Sequence, residues 1–215
     1  MTYASLKKQL SKFRWRGIKN IRADQDGVSA IEFALIAPLM VTLFFGGIEI
    51  SLLMQADRRV TTVASTIGDL ASRETILSNS DVNDIFLAST LLLSPLDPTI
   101  AQVRLTSLVA NEDGDVTVAW SDGCNLRGRV PGSSVDDLPE DIIPANGAII
   151  MAEISYNYES EIAFTIQNSR TLTDRFFLRP RRSITVERDT SDSGSGPASH
   201  CADLSGTVGG GTPTP

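Results

Sequence analysis

The sequence predicts an α+β protein in which a long N-terminal transmembrane helix extends into an exported domain made of a second helix and an antiparallel sheet. Three observations predict it. A basic leader without acids precedes an apolar run of membrane-spanning length. Beyond that run the apolar residues recur at helical spacing. After residue 100 they switch to strand-like alternation.

Residues 1–22 carry Lys7, Lys8, Lys12, Arg14, Arg16, Lys19 and Arg22 and no acid, whereas the chain after Met54 is acidic by roughly ten charges. Between Phe33 and Ile48 no charged residue occurs, a stretch of about 16 residues, slightly short of a bilayer core. With Glu49 at the far interface and Ile50 to Met54 continuing the apolar wall, the span grows to about 22 residues, or roughly 33 Å. A cleaved signal peptide has the same basic-then-apolar order, but its apolar region is shorter, and Met54-Gln-Ala-Asp is a poor cleavage site. An uncleaved or internally processed anchor therefore fits better. The positive-inside rule keeps the leader cytoplasmic and exports the remainder, so a single-pass inner-membrane protein with a periplasmic domain is expected. The expected divisions are 1–27, basic cytoplasmic leader; 28–54, transmembrane helix; 55–188, periplasmic α+β domain; and 189–215, a disordered tail of Ser, Gly, Thr and Pro.

In the exported part, Val60, Val63, Ala64, Ile67, Leu70 and Ala71 form one helical stripe, with Arg58, Arg59, Asp69 and Arg73 on the other faces. The first helix thus continues out of the membrane and packs on the domain. Ser80 to Leu93 predicts a second helix, stopped by Ser94-Pro-Leu-Asp-Pro98. Val103, Leu105, Ser107 and Val109, then Val116, Val118 and Trp120, predict a hairpin around the turn Asn111-Glu-Asp-Gly-Asp115. Gly147 to Tyr158 predicts a third strand and Ser183 to Glu187 a last one. Gly123 to Pro144, mixing Gly, Pro, Asp and Arg without period, predicts a loop.

Catalytic chemistry finds little purchase here, and no enzyme activity is expected. No nucleophile elbow, phosphate loop, dinucleotide fingerprint or His-Glu-x-x-His occurs, and the sole His200 lies in the tail. One His with two distant Cys is too few for a metal site. The acidic turn at Asn111 to Asp115 lacks the register of a calcium loop. Cys124 and Cys201 are free to pair as a disulfide in an oxidising periplasm. The run Arg179-Pro-Arg-Arg182 is expected to pair with acids of its own domain. An acidic exported domain has no reason to bind nucleic acid, and no cofactor is expected.

The informative residues are Gly27 and Glu32, five apart, the acid lying just inside an otherwise apolar helix and followed by Phe33. A carboxylate there is a functional hypothesis by default, and it needs a partner. Gly27-Val-Ser-Ala-Ile-Glu32-Phe33 resembles the processing site of type IV prepilins. More narrowly, residues 27–38 ending in Pro38, followed by Gly46-Gly47-Ile-Glu49, resemble the TadE-like pilus assembly proteins of the tight-adherence (Tad, or Flp) pilus. Glu153-Ile-Ser-Tyr-Asn-Tyr158 and Phe176-Phe-Leu-Arg-Pro-Arg-Arg182 resemble features of the longer members more weakly.

The resemblance implies cleavage by a prepilin peptidase between Gly27 and Val28, freeing the Val28 amine to pair with Glu32 of a neighbouring subunit. Pro38 would loosen the helix, and Gly46 and Gly47 would permit close helix approach. Glu49 reads as interfacial. Small structural pilins of this system are much shorter, so the resemblance implies a minor pseudopilin or membrane-anchored assembly component. Its implied partners are other pilins and pseudopilins, the assembly platform and membrane lipid. The rival reading is a membrane-anchored periplasmic binding or sensor domain.

Overall fold

The structure is a computed structural model that describes residues 27–135, 138–139 and 142–191. The expected leader (1–27, apart from Gly27) and most of the expected tail, with His200 and Cys201, lie outside the described residues. Two compact units meet in the first helix, one ending at Gly47 and one beginning at Ile48.

Helix α1, Val28–Arg73, runs 46 residues without interruption, with Pro38 inside it. Its second half carries the predicted stripe: Val60, Val63, Ala64, Ile67 and Ala71 are buried and Leu70 is partly so, and the buried Ala56 extends the stripe by a turn. A two-residue strand β1, Ile76–Leu77, follows. Helix α2, Asn79–Leu93, is started by a capping box in which the Ser78 hydroxyl accepts from the Asp81 amide and the Asp81 carboxylate accepts from the Ser78 amide. The Ser78 hydroxyl also donates to the Asp81 carboxylate at 2.6 Å, and this bond together with that from the Ser78 amide holds the Asp81 carboxyl below its ordinary range. At the other end of α2 the Arg59 guanidinium donates to the carbonyls of Leu92 and Ser94, carbonyls that a helix terminus leaves without intrahelical donors.

The sheet has four antiparallel strands in the order β3-β2-β4-β5: β2, Gln102–Ala110; β3, Val116–Cys124; β4, Ala148–Tyr158; β5, Arg170–Leu178. The predicted hairpin is β2–β3, and its ladder shifts register between Ser107 and Leu108. One sheet face, with Val103, Leu105, Trp120, Ile150, Ala152, Ile154 and Tyr156, packs on α1 and α2 around the fully buried Phe86.

Helix and sheet approach closely at Gly68. A Cβ built there would lie 2.5 Å from Leu178 Cδ1 and 3.1 Å from the Ala152 Cβ. Leu178 can swing aside, but Ala152 is fixed to the central strand. Gly68→Val is therefore expected to destabilise the domain by about 1–3 kcal/mol through overpacking, read as a lowered thermal midpoint of the full chain in detergent.

The opposite face is covered as well. Leu108, Ala110, Val118, Ile149 and Met151 form a second core with Val135 and Ile143 from the loop that follows β3. That loop folds directly back on its strand at Gly128, where a Cβ would lie 2.2 Å from the Ser121 carbonyl oxygen. The described residues between 125 and 147 form no helix or strand, as expected for the stretch Gly123 to Pro144 except that β3 takes in Gly123 and Cys124, and besides Val135 and Ile143 they pack the half-buried Leu138 and Ile142 against this core. Because both faces of β4 are covered, Ala148 to Ala152 is apolar without alternation.

Two differences from the sequence expectation concern the C-terminal segment. Strand β5, rich in charge, was not predicted. The predicted strand Ser183 to Glu187 is not one: the strand in this region is β6, Glu187–Arg188, and it pairs in parallel with β1, outside the main sheet. The segment is held instead to the end of α1, with the Arg181 amide on the Ser72 carbonyl (2.9 Å), and to β3, with the Trp120 indole donating to the Val186 carbonyl (2.7 Å). Arg181 forms an ion pair with Asp69, as expected for this basic run.

Candidate functional site

The first half of α1 is apolar and open. Phe33, Leu35, Ile36, Leu39, Met40, Leu43 and Phe44 are all exposed. The most apolar stretch of the helix is not buried inside the protein. The helix is long and apolar enough to cross a membrane, and this surface suits lipid or another helix rather than water.

Glu32 lies on this open helix, exposed, and its carboxylate forms no hydrogen bond or ion pair with any described residue. Gly27 precedes the helix in a turn, and nothing lies within 4 Å of a Cβ built on it; the Ile31 amide reaches back to its carbonyl at 3.2 Å. Pro38 has no amide to give, and its own carbonyl accepts the Thr42 hydroxyl at 2.8 Å as well as its place in the helix ladder. Gly46 is buried, whereas a Cβ on Gly47 would meet nothing within 4 Å.

Glu49 differs from Glu32 in every respect. Its side chain is fully buried, and the segment after β4 wraps its carboxylate. Oε1 accepts from the Phe164 amide at 2.7 Å and the Ser160 hydroxyl at 3.0 Å; Oε2 accepts from the Thr165 amide at 2.6 Å and the Ile166 amide at 3.0 Å. Ala163, with φ of 48°, sits in the left-handed region and turns the next three N–H groups toward one point, forming an anion-binding nest. The Ser160 hydroxyl also accepts from the Ala163 amide at 3.2 Å, fixing the turn. The sequence places Glu49 at an interface but gives no sign of this clamp, because most of its donors are backbone groups more than a hundred residues away.

A second buried acid organises the domain. Glu153, 9% exposed in the middle of β4, receives Arg104 Nε at 2.7 Å, Arg129 Nη2 at 2.9 Å and Arg175 Nε at 3.2 Å. These arginines come from β2, the loop after β3, and β5, so one carboxylate joins three segments. Burial works against its ionisation, but the hydrogen bonds and charges of Arg104 and Arg129 outweigh it and hold the carboxyl below its ordinary range. Cys124, at the end of β3, is fully buried and disulfide-bonded.

A cleft of about 330 Å³ lies between α1 from Leu52 to Arg59, the α2–β2 connection at Pro95 to Asp97, and the end of β4 with Tyr156 and Tyr158. Glu159 and Glu161 also line it.

Fold and site together define a protein whose N-terminal helix is long and apolar enough to cross a membrane, carries one acid with no partner among the described residues, and continues into an α+β domain. Residues 27–68, which cover Glu32, Pro38, Gly46, Gly47, Glu49 and the buried stripe as far as Gly68, match the family model of the TadE-like proteins. The match agrees with the resemblance carried by the glycine, glutamate and proline pattern, and it supports a component associated with the Tad pilus. Neither the curated proteins nor the solved structures contain a match to the chain.

Proposed function

We propose that the chain is a minor pseudopilin or membrane-anchored assembly component of a tight-adherence pilus, working by helix packing and not by catalysis. The observation that carries this reading is the contrast between two acids on one helix. Glu49 is fully satisfied within its own chain, whereas Glu32 is exposed on an apolar surface with no described partner. An acid at membrane depth must be neutralised or lifted to the interface, so another molecule is the natural source of its partner. The amine that cleavage after Gly27 would create on Val28 is such a group, offered by a neighbouring pilin or pseudopilin. The exposed helix face with the open Gly47 suits close approach by another helix. In this reading the protein sits in a bacterial inner membrane with its N-terminus cytoplasmic and its domain periplasmic. Its partners are pilins, the assembly platform and a prepilin peptidase.

The test is the intact mass and N-terminal sequence of the protein from membranes of cells with and without the prepilin peptidase, paired with Glu32→Gln. A peptidase-dependent start at Val28 is expected, together with a loss of assembled pili in the Glu32→Gln strain at unchanged protein level. A start at Met1 in both strains removes the processing chemistry. The cleft beside Tyr156 and Tyr158 favours the rival reading, an anchored binding or sensor domain. Exchange of α1 up to Gly47 for an unrelated anchor separates the two, because a sensor keeps its function and a pseudopilin loses it.

A further inference from the structure

We propose that residues 160–166 form a second membrane-contacting element, a loop seated in the outer interface of the bilayer with Ile162 and Phe164 in contact with lipid. The inference rests on the reading of α1 as a membrane anchor. It begins from the exposure of Ile162 (38%) and Phe164 (46%), two large apolar side chains within five residues of loop. The four hydrogen bonds to Glu49 fix where that loop lies along α1. Glu49 follows directly on the uncharged stretch, and beyond it the helix still exposes Ile50 (55%) and Met54 (53%) before the exposed, charged Asp57 and Arg58. The loop therefore docks at a level where the helix itself remains apolar toward its surroundings.

Two physical requirements are met at once by this arrangement. Non-helical backbone enters the apolar region only where its N–H groups are satisfied internally, and those of Phe164, Thr165 and Ile166 are spent on the Glu49 carboxylate. Conversely, a carboxylate at the membrane edge needs its charge covered, and the loop covers it completely. The charge-free wall of α1 would end at Ile48 if Glu49 were bare, giving about 24 Å, short of the roughly 30 Å of a hydrocarbon core. With Glu49 covered it runs to Met54, about 33 Å. Glu161, the one charge within the loop, lines the cleft that also holds Arg59.

The experiment uses the full chain, oxidised, in nanodiscs of phosphatidylethanolamine and phosphatidylglycerol, with nitroxide labels on I162C, F164C, L43C and D113C in turn. Collision with oxygen and with a water-soluble nickel chelate is then read by power saturation. The expected result is a lipid-like response at positions 162 and 164, with an oxygen-to-nickel ratio several-fold above that at position 113, as at position 43. A water-like response at 162 and 164 beside a lipid-like one at 43 overturns the loop proposal and leaves the anchor intact. A water-like response at 43 as well overturns the anchor reading beneath it. Occlusion from both reagents at 162 and 164 overturns the proposal in favour of a protein partner on the loop.

Discussion

Replacing Glu153 with glutamine is expected to lower the stability of the domain by about 3 kcal/mol, since breaking a buried ion pair from one side leaves the opposite charges uncompensated. Here the uncompensated charges would be three, Arg104, Arg129 and Arg175, held around a site only 9% exposed. The loop after β3 reaches the sheet partly through Arg129, so it is the segment expected to loosen first. For a chain of this size the thermal midpoint should fall by roughly 6–12 °C, measured by circular dichroism of the full chain in detergent. The pH dependence follows from the lowered carboxyl. Its stabilisation is complete above the ordinary value of 4.5 and is lost as the pH falls through the lower folded-state value. The wild type should therefore lose stability in acid below about pH 4.5, and Glu153→Gln should show a shallower acid limb. An unchanged midpoint at neutral pH would mean that the arginines disperse into solvent at no cost.

The sequence shows part of this arrangement. Glu153 interrupts the apolar run of β4, and a charge inside a strand buried on both faces is seldom present without partners. What the sequence does not show is which arginines answer it, because they lie on two other strands and a loop. The long apolar helix was legible for the opposite reason. Its chemistry is local, written in the spacing of Gly27, Glu32, Pro38 and Glu49, and its amphipathic second half has a period that burial follows residue by residue. Strand β5 was hidden by its position at the sheet edge, where Asp174 and Arg175 blur the alternation of Leu172, Phe176 and Leu178. The Glu49 clamp is the least legible feature, since backbone amides carry no side-chain signature. Only the apolar pair Ile162 and Phe164 marks the loop that makes it.

Arg188→Met is expected to have an effect of similar size, about 3 kcal/mol, by a different route. The Arg188 side chain is only 6% exposed and serves four acceptors: Asp122 Oδ2 at 2.7 Å, the Leu77 carbonyl at 3.1 Å, the Asp189 carbonyl at 2.6 Å and Asn79 Oδ1 at 2.6 Å. It thereby ties β6 to β1, to the start of α2 and to β3. Methionine fills the volume and adds no charge, so the loss would measure the stranded Asp122 carboxylate and the unpaired carbonyls. Lysine at this position keeps the charge but cannot present the planar fork, and should recover only a fraction. Adding Asp122→Asn to Arg188→Met should recover about 1–2 kcal/mol, because the stranded charge is then gone. Hydrogen exchange gives the local readout. The Glu187 and Asp189 amides, bonded at 3.0 and 2.9 Å to the carbonyls of Thr75 and Leu77, should lose protection before the amides of β4 do. Equal loss across β4 and β6 would show instead that the two-stranded ribbon unfolds only with the whole domain.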